Sequence, residues 1–350
     1  MTSRQDSRKE KLVGFNPNEN GLRDHGIFGL PFTPDESEIV LIPLPFEATV
    51  SYSAGTESGP KAILNASQQI DLNDILDPDG WQNGIAMQDI PSGENYKALR
   101  EKTEKYLAEF AKGNIDAELQ AEINKECEEF KNFVKEKTEK ILANEQIAGL
   151  LGGDHSVSLG YFEALAEKYD SFGILQIDAH CDLRKAYEGL AYSHASIFYN
   201  AVQIPKMTKL VQVGIRDFCA EESELISSSN KIKTFFDYEM RKDLYNGNTW
   251  NKICEKIVAE LPQNVCISFD IDGLLPYLSP NTGTPVPGGL EMNEVIFLFE
   301  KILESGRKIV GFDLVEVDPD PSNPSNEWDG NVASRILYKL CLLALKSKTL

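Results

Sequence analysis

The chain has 350 residues, 41% of them hydrophobic and 26% charged, so it can bury a large core and does not have the composition of a disordered protein. Its formal net charge of −20 argues against nucleic acid or an anionic membrane as partner, since either would repel it; metals or a small cationic ligand fit, as does plain solubility. The six cysteines are scattered without a C-x-x-C pair, which leaves neither a zinc ribbon nor a disulfide framework, and no apolar run approaches the ~20 residues of a bilayer span. The charged N-terminus has no apolar stretch behind it, and the expectation is a cytoplasmic protein.

Residues 1–35 are polar and rich in Gly and Asn, and read as an arm or loop-rich lead-in to a single α/β domain over 36–350. Ile39–Leu44 is apolar at every position, the pattern of a strand covered on both faces. Residues 96–145 differ: Leu99, Tyr106, Leu107 and Phe110, then Phe130, Phe133, Val134, Ile141 and Leu142, recur at helical spacing among many Glu and Lys. That pattern predicts one or two surface helices with a solvated face, in preference to a coiled-coil partner site. Beyond them the short apolar runs Ile147–Leu151, Phe172–Ile177, Lys209–Val213, Ile232–Phe236, Val265–Phe269 and Lys308–Phe312 alternate with helix-like stretches such as Tyr161–Tyr169 and Asn293–Glu304. Alternation of this kind predicts a parallel sheet with helices on both sides. Asp318–Asn326, rich in Pro, Asp, Ser and Asn, reads as a turn-forming surface segment.

Three of these strands run straight into clusters of metal-ligand residue types. Ile147–Leu151 leads into Gly152-Gly153-Asp154-His155, Phe172–Ile177 into Asp178-Ala179-His180-Cys181-Asp182, and Val265–Phe269 into Asp270-Ile271-Asp272. Parallel sheets bind ligands at the carboxyl ends of their strands, so three such ends can converge on one crevice. Residues at i, i+2 and i+4 of an extended segment share a face, which groups Asp178, His180 and Asp182, and likewise Asp270 with Asp272, while turning Cys181 away. Glycines at 152 and 153 permit the sharp turn that brings in His155. A lone D-x-H or D-x-D is more often a surface turn or a satisfied polar pair; three clusters at strand ends that use two of only four histidines make the metal reading. Two imidazoles and four carboxylates with no thiolate suit Mn²⁺ better than Zn²⁺. Two carboxylate-bridged ions would lie about 3.5–4 Å apart and hold a hydroxide between them.

The G-G-D-H-S, D-A-H-x-D and S-x-D-x-D signatures, in this order, resemble those of the ureohydrolase family, which includes arginase, agmatinase and formimidoylglutamase. Further likeness lies in Ala48-Thr49-Val50-Ser51-Tyr52, Gly55-Thr56, Gly59-Pro60-Lys61-Ala62-Ile63, the stretch Thr282–Leu290, and Gly311–Val317; together it spans about residues 38–345. The resemblance implies a three-layer α/β/α domain with a mainly parallel eight-stranded sheet and two Mn²⁺ per chain. It implies that His155 and Asp182 complete one ion's shell and His180 and Asp272 the other's, with Asp178 and Asp270 bridging. By the same match Asp182 accepts a hydrogen bond from the activated water, His194 shuttles a proton or protonates the leaving amine, and Glu316 binds the guanidinium, with Thr284 as a further substrate contact. Without the family match, His194 would read as a satisfied histidine, and Glu316 equally well as a strand-end salt bridge.

Those roles suit the chemistry. A guanidinium is resonance-stabilised, and attack on it needs a water acidified by metal. A carboxylate orients the planar cation, and an imidazole titrates in the range needed to protonate an amine. The chain departs from the family at Leu274-Leu275-Pro276, where relatives often carry Asp before the proline, and at Tyr192-Ser193-His194-Ala195-Ser196, where many have Gly-Thr after the histidine. The early motifs look most like agmatinases, which favours agmatine hydrolysis to putrescine and urea. Arg184 leaves formimidoylglutamate, arginine or another guanidino acid open, since it can pair with a carboxylate or turn aside into a salt bridge. The competing class is a non-catalytic metal-binding scaffold. Kinship implies a homo-oligomer.

Overall fold

The structure is a computed structural model that describes residues 3–19, 25–50, 52–92, 94–323 and 325–349; Ser51 of the early motif lies outside these described residues. The described residues form eight strands: Ile39–Leu44 (β1), Ile85–Met87 (β2), Ile147–Gly152 (β3), Phe172–Ile177 (β4), Met207–Ile215 (β5), Ile232–Phe236 (β6), Asn264–Asp270 (β7) and Lys308–Val315 (β8). They form one sheet in the order β2-β1-β3-β8-β7-β4-β5-β6, and every adjacent pair is parallel. Seven of the eight stand where apolar runs predict them. β2 is three residues long, too short to carry a periodicity signal, and pairs at the edge with Ile39, Val40 and Leu41 of β1.

Around the sheet lie Arg4–Lys11 (α1), Gly59–Ser67 (α2), Glu94–Phe110 (α3), Ala117–Ala143 (α4), Ser158–Lys168 (α5), Ile197–Ala201 (α6), Ala220–Ser228 (α7), Asp237–Tyr245 (α8), Trp250–Glu260 (α9), Met292–Glu304 (α10) and Trp328–Lys348 (α11). Strand alternation splits the core in two. Val40, Ile42 and Leu44 of β1 face one cluster with residues of α3, α4, α5 and α6, while Ile39 and Leu41 face the other with α2, α9, α10 and α11. Both sheet faces are therefore covered, which is why the central strands read as unbroken apolar runs. The result is the expected three-layer α/β/α arrangement.

The charged segment resolves into α3 and α4. On α4, Ile123, Cys127, Phe130, Val134, Thr138 and Ile141 recur every three or four residues and are buried, while its Glu and Lys face out. Asp116 starts this helix by accepting a hydrogen bond from Leu119 N at 3.0 Å. The described parts of the lead-in pack onto the domain and do not stand off as an arm. Ile27, Phe28, Leu30 and Phe32 are buried, and Arg8 of α1 donates to Glu36 O at 2.7 Å. Among the described residues no helix is long and apolar enough to cross a membrane.

Candidate metal centre

The sheet order sets strands β3, β8, β7 and β4 side by side, so the loops at their carboxyl ends open onto one crevice. His155 projects from the loop after β3, with its Nδ1 at 3.3 Å from Asp178 Oδ2, 3.2 Å from Asp182 Oδ2 and 3.3 Å from Asp270 Oδ2. His180 Nδ1 lies 2.9 Å from Asp272 Oδ2 and 3.6 Å from Asp178 Oδ1. The six residues singled out in the sequence are thus brought together. They fall into two groups of mutually close ligand atoms, His155–Asp178–Asp270 and Asp178–His180–Asp272, with Asp178 common to both. Gly153 lets the loop close: a Cβ there would sit 2.1 Å from Phe46 O.

Strand alternation is not what aims these side chains. β4 ends at Ile177, and Asp182 has a left-handed backbone with φ 52°. Asp178 and Asp270 are aimed by short turns in which Oδ1 accepts a backbone N–H two residues on, from His180 N at 2.6 Å and Asp272 N at 2.9 Å, while Asp272 Oδ1 accepts from Ala179 N of the neighbouring loop at 2.9 Å. The other oxygen of each faces a ligand histidine, that of Asp178 while also accepting from Gln176 Nε2. Asp154 turns elsewhere and accepts from Ser156 N at 3.0 Å and Thr49 N at 3.2 Å. Cys181 is fully buried and packed, as its position between ligands suggested.

The His155 ring tests whether a cation belongs here. Its Nε2 lies 3.0 Å from Ser268 Oγ, whose hydroxyl donates to Asp313 Oδ1 at 2.8 Å. Ser268 therefore accepts the Nε2 proton, and Nδ1 is left as a bare lone pair. Among the described residues that buried Nδ1 has no hydrogen-bond partner, and it faces three carboxylate oxygens. A lone pair set against three anions is stable only with positive charge between them, so the donor set fits metal ions. The titration behaviour agrees. Burial, then Asp178, pushes the Asp182 carboxyl up to about 7; burial, then Asp272 and Asp178, pushes Asp270 well above the carboxylate range. Although burial opposes it, His155 is drawn well above its usual value by Asp178, Asp182 and Asp270.

Beside the ligands is a cavity of about 190 Å³ whose lining includes Asp182, Arg184, Tyr187, His194, Thr284 and Glu316. His194 is held by its backbone N–H, which donates to Thr49 Oγ1 at 3.1 Å. Burial, then the charge of His180, lowers its imidazole to about 4. Glu316 has φ 61° and accepts from His155 N on Oε1 at 2.8 Å. Arg184 stacks its guanidinium over the Tyr187 ring, 4.9 Å from the centroid, and lies 4.0 Å from Glu222 Oε2. It sits on the cavity wall yet leans toward that carboxylate.

A model of the arginase family matches residues 37–342. The chain belongs to the arginase family. It is 30% identical over 295 residues to the N(1)-aminopropylagmatine ureohydrolase of Thermus thermophilus, covering 84% of this chain and 87% of that protein. It is 27% identical over 290 residues to the agmatinase of Halalkalibacterium halodurans, covering 82% and 87%. Among solved structures, the agmatine ureohydrolase of Thermoplasma volcanium superposes with a TM-score of 0.69 at 21% identity over 97% of this chain and 99% of the other, a likeness of fold. Arginase-family membership makes the chain a hydrolase of guanidino carbon–nitrogen bonds.

In this arginase-family site several supporting residues carried no assigned role in the sequence. Gln176 Nε2 donates to Asp178 Oδ2 at 2.8 Å and to His180 O at 3.0 Å; Gln212 Nε2 donates to Gln176 Oε1 at 2.7 Å and to Cys181 O at 2.9 Å; and Thr234 Oγ1 donates to Gln212 Oε1 at 2.7 Å. Arg216 Nη2 donates to Asp272 O at 2.6 Å and to Leu274 O at 3.2 Å, which holds the departing Leu274-Leu275-Pro276 loop in place without the family's aspartate. The available signal was a polar side chain inside an apolar strand: Gln176 in β4, Gln212 in β5, Ser268 in β7 and Asp313 in β8, all fully buried.

Proposed function

We propose that the chain is a dinuclear Mn²⁺ hydrolase that cleaves agmatine and water to putrescine and urea. The observation that carries the reading is the His155–Asp178–Asp270 and Asp178–His180–Asp272 pair of ligand groups opening onto the cavity that also contains Glu316 and His194. His155, Asp178, Asp182 and Asp270 would hold one ion and His180, Asp178, Asp270 and Asp272 the other. Bound ions supply the Lewis acidity that makes water nucleophilic at neutral pH.

The side chains do the rest. Glu316 offers a carboxylate oxygen to the planar guanidinium and fixes its face toward the ligand cluster. Asp182 accepts the proton that the attacking water gives up. His194 takes on that proton from Asp182 and delivers it to the departing amine nitrogen, so that the alkylamine leaves protonated and urea remains. A cationic tail is supported by the net charge of −20 and by Arg184, the cation most able to hold a substrate carboxylate, which leans toward Glu222 and Tyr187. A second reading is N(1)-aminopropylagmatine, which extends the same cationic chain and is the substrate in the name of the Thermus relative.

A panel of agmatine, N(1)-aminopropylagmatine, arginine, formimidoylglutamate and guanidinobutyrate, scored by kcat/KM with Mn²⁺, tests this. Agmatine is expected to lead, with its aminopropyl derivative as the competitor; an acidic substrate in first place rejects the cationic-tail reading. Metal analysis should give two Mn²⁺ per chain, and one Zn²⁺ would reject the dinuclear assignment. Absence of urea from every guanidine, with metal bound, would favour the scaffold.

A further inference from the structure

We propose that a second cavity, between α2 and the loop that follows β8, binds a primary alkylammonium group with Asp318 as its anchor. The cavity measures about 350 Å³, and Asp318 lines it together with residues of α2 and the start of α11.

Asp318 is only 3% exposed, yet among the described residues its carboxylate has neither a hydrogen-bond donor nor an ion-pair partner. The charged groups that shift its titration are of the same sign. Burial, then Glu47 and Asp329, push it up to about 7. The neighbouring carboxylates already have donors. Glu47 Oε2 accepts from Gly55 N at 2.6 Å, Thr56 Oγ1 at 3.1 Å and Glu57 N at 3.1 Å. Asp329 accepts from Ser279 Oγ at 3.3 Å and from Asn281 N and Nδ2 at 3.2 and 2.8 Å. Asp320 on the cavity rim is tied to Ser322, Asn323 and Asn326 of its own turn. Asp318 is left as the carboxylate with open acceptors.

The backbone makes room for that carboxylate. Gly55 has φ +148°, and a Cβ there would lie 2.3 Å from Asp318 Oδ1. The lining also contains Lys61, which is exposed and makes no ion pair with Asp318 within 4 Å. A buried charge facing a cavity and no donor calls for a cation from outside. A metal ion is disfavoured, because both ligand clusters found among the described residues belong to the crevice already described. An ammonium fits better. Asp318 supplies the counter-charge, Asn65 adds a side-chain amide, and Ala62, Pro319 and Pro321 give apolar wall for a short methylene chain.

The test is calorimetric titration of the Mn²⁺-loaded protein with 1,4-diaminobutane and with n-butylammonium, using butyrate as a control of equal length and opposite sign. Saturable binding of both amines is expected in the wild type and in Glu316→Gln, with none for butyrate. Asp318→Asn keeps the shape and removes the charge, and should weaken binding at least tenfold. No saturable amine binding to the wild type overturns the proposal. So does binding that survives Asp318→Asn and is lost in Glu316→Gln, since the amine then occupies the metal-side cavity. Lys61→Met covers the remaining case: amine binding that appears only in this variant makes Lys61 the true partner of Asp318 and rejects the site. None of these outcomes depends on which guanidine is hydrolysed.

Discussion

The ligand cluster and the loop that carries Arg184, Tyr187 and His194 face the same crevice but are held by different means. The ligands stand at strand ends, and their supports are side chains of the sheet itself: Ser268 and Asp313 behind His155, and Gln176, Gln212 and Thr234 behind Asp178. The loop is held from outside. Tyr106 OH donates to Glu188 O at 3.0 Å, Gln120 Nε2 to Gly189 O at 2.8 Å, and Ala191 N to Asn124 Oδ1 at 2.7 Å, all three side chains coming from α3 and α4. Arg100 of α3 also donates to Val50 O at 2.7 Å, beside the Thr49 that positions His194. Ala186 and Glu188 in this loop have left-handed backbones, at φ 78° and 51°, which persist only where neighbours impose them. The ligand side is thus set by the sheet, and the substrate side by a helical pair whose sequence looks like mere charged surface.

The comparison breaks first at the ligands. Asp270→Ala removes a carboxylate that lies 3.3 Å from His155 Nδ1 and caps Asp272 N. Activity should fall by roughly three decades or more, with metal content reduced. Full turnover with metal content unchanged would refute its role. One step further out, Ser268→Ala removes the acceptor that fixes the His155 tautomer. Metal affinity should drop about 10–100-fold while the fold persists, read by titration of the metal-free protein. An unchanged affinity would show that the ring is aimed by packing alone, for instance against Phe198, whose ring meets it edge-on at 5.1 Å.

The same contrast explains what could be read in advance. The ligand side was legible because each cluster follows an apolar run, so position along the chain already implied position at a sheet end. The supports behind it were half visible, as polar residues in apolar strands. Tyr106, Gln120 and Asn124 were not legible at all: they lie 65 to 82 residues from the loop atoms they hold, on helices whose pattern reports burial and not partners. Asp182 reaches the cluster, but a left-handed backbone and not strand alternation aims it. Arg184 could not be decided, because a long cation has both a carboxylate and an aromatic ring within reach.

The outer support gives a sharper test. Asn124→Ala removes the acceptor of Ala191 N and a donor to Gly189 O. An unmet buried donor costs about 1–3 kcal/mol, borne locally by the loop. The expected result is a fall in kcat of about tenfold with metal affinity unchanged, and faster amide exchange across 186–194. If metal affinity falls along with kcat, the ligand side and the substrate side are one mechanical unit.

Arg184→Ala should have the smallest effect. Its side chain is 42% exposed, and a pair 4.0 Å long at that exposure contributes little to stability. On a cationic substrate the variant removes a like charge from the cavity wall, so KM for agmatine should stay within about threefold of the wild type or improve. On guanidinobutyrate or arginine, any carboxylate that the guanidinium reaches by swinging away from Glu222 would lose its partner, and KM should rise. The two directions are opposite, so one variant and two substrates suffice. A large rise in KM for agmatine alone would mean that Arg184 shapes the cavity by stacking on Tyr187, and Arg184→Lys, which keeps the charge but loses the planar stack, should then fail in the same way.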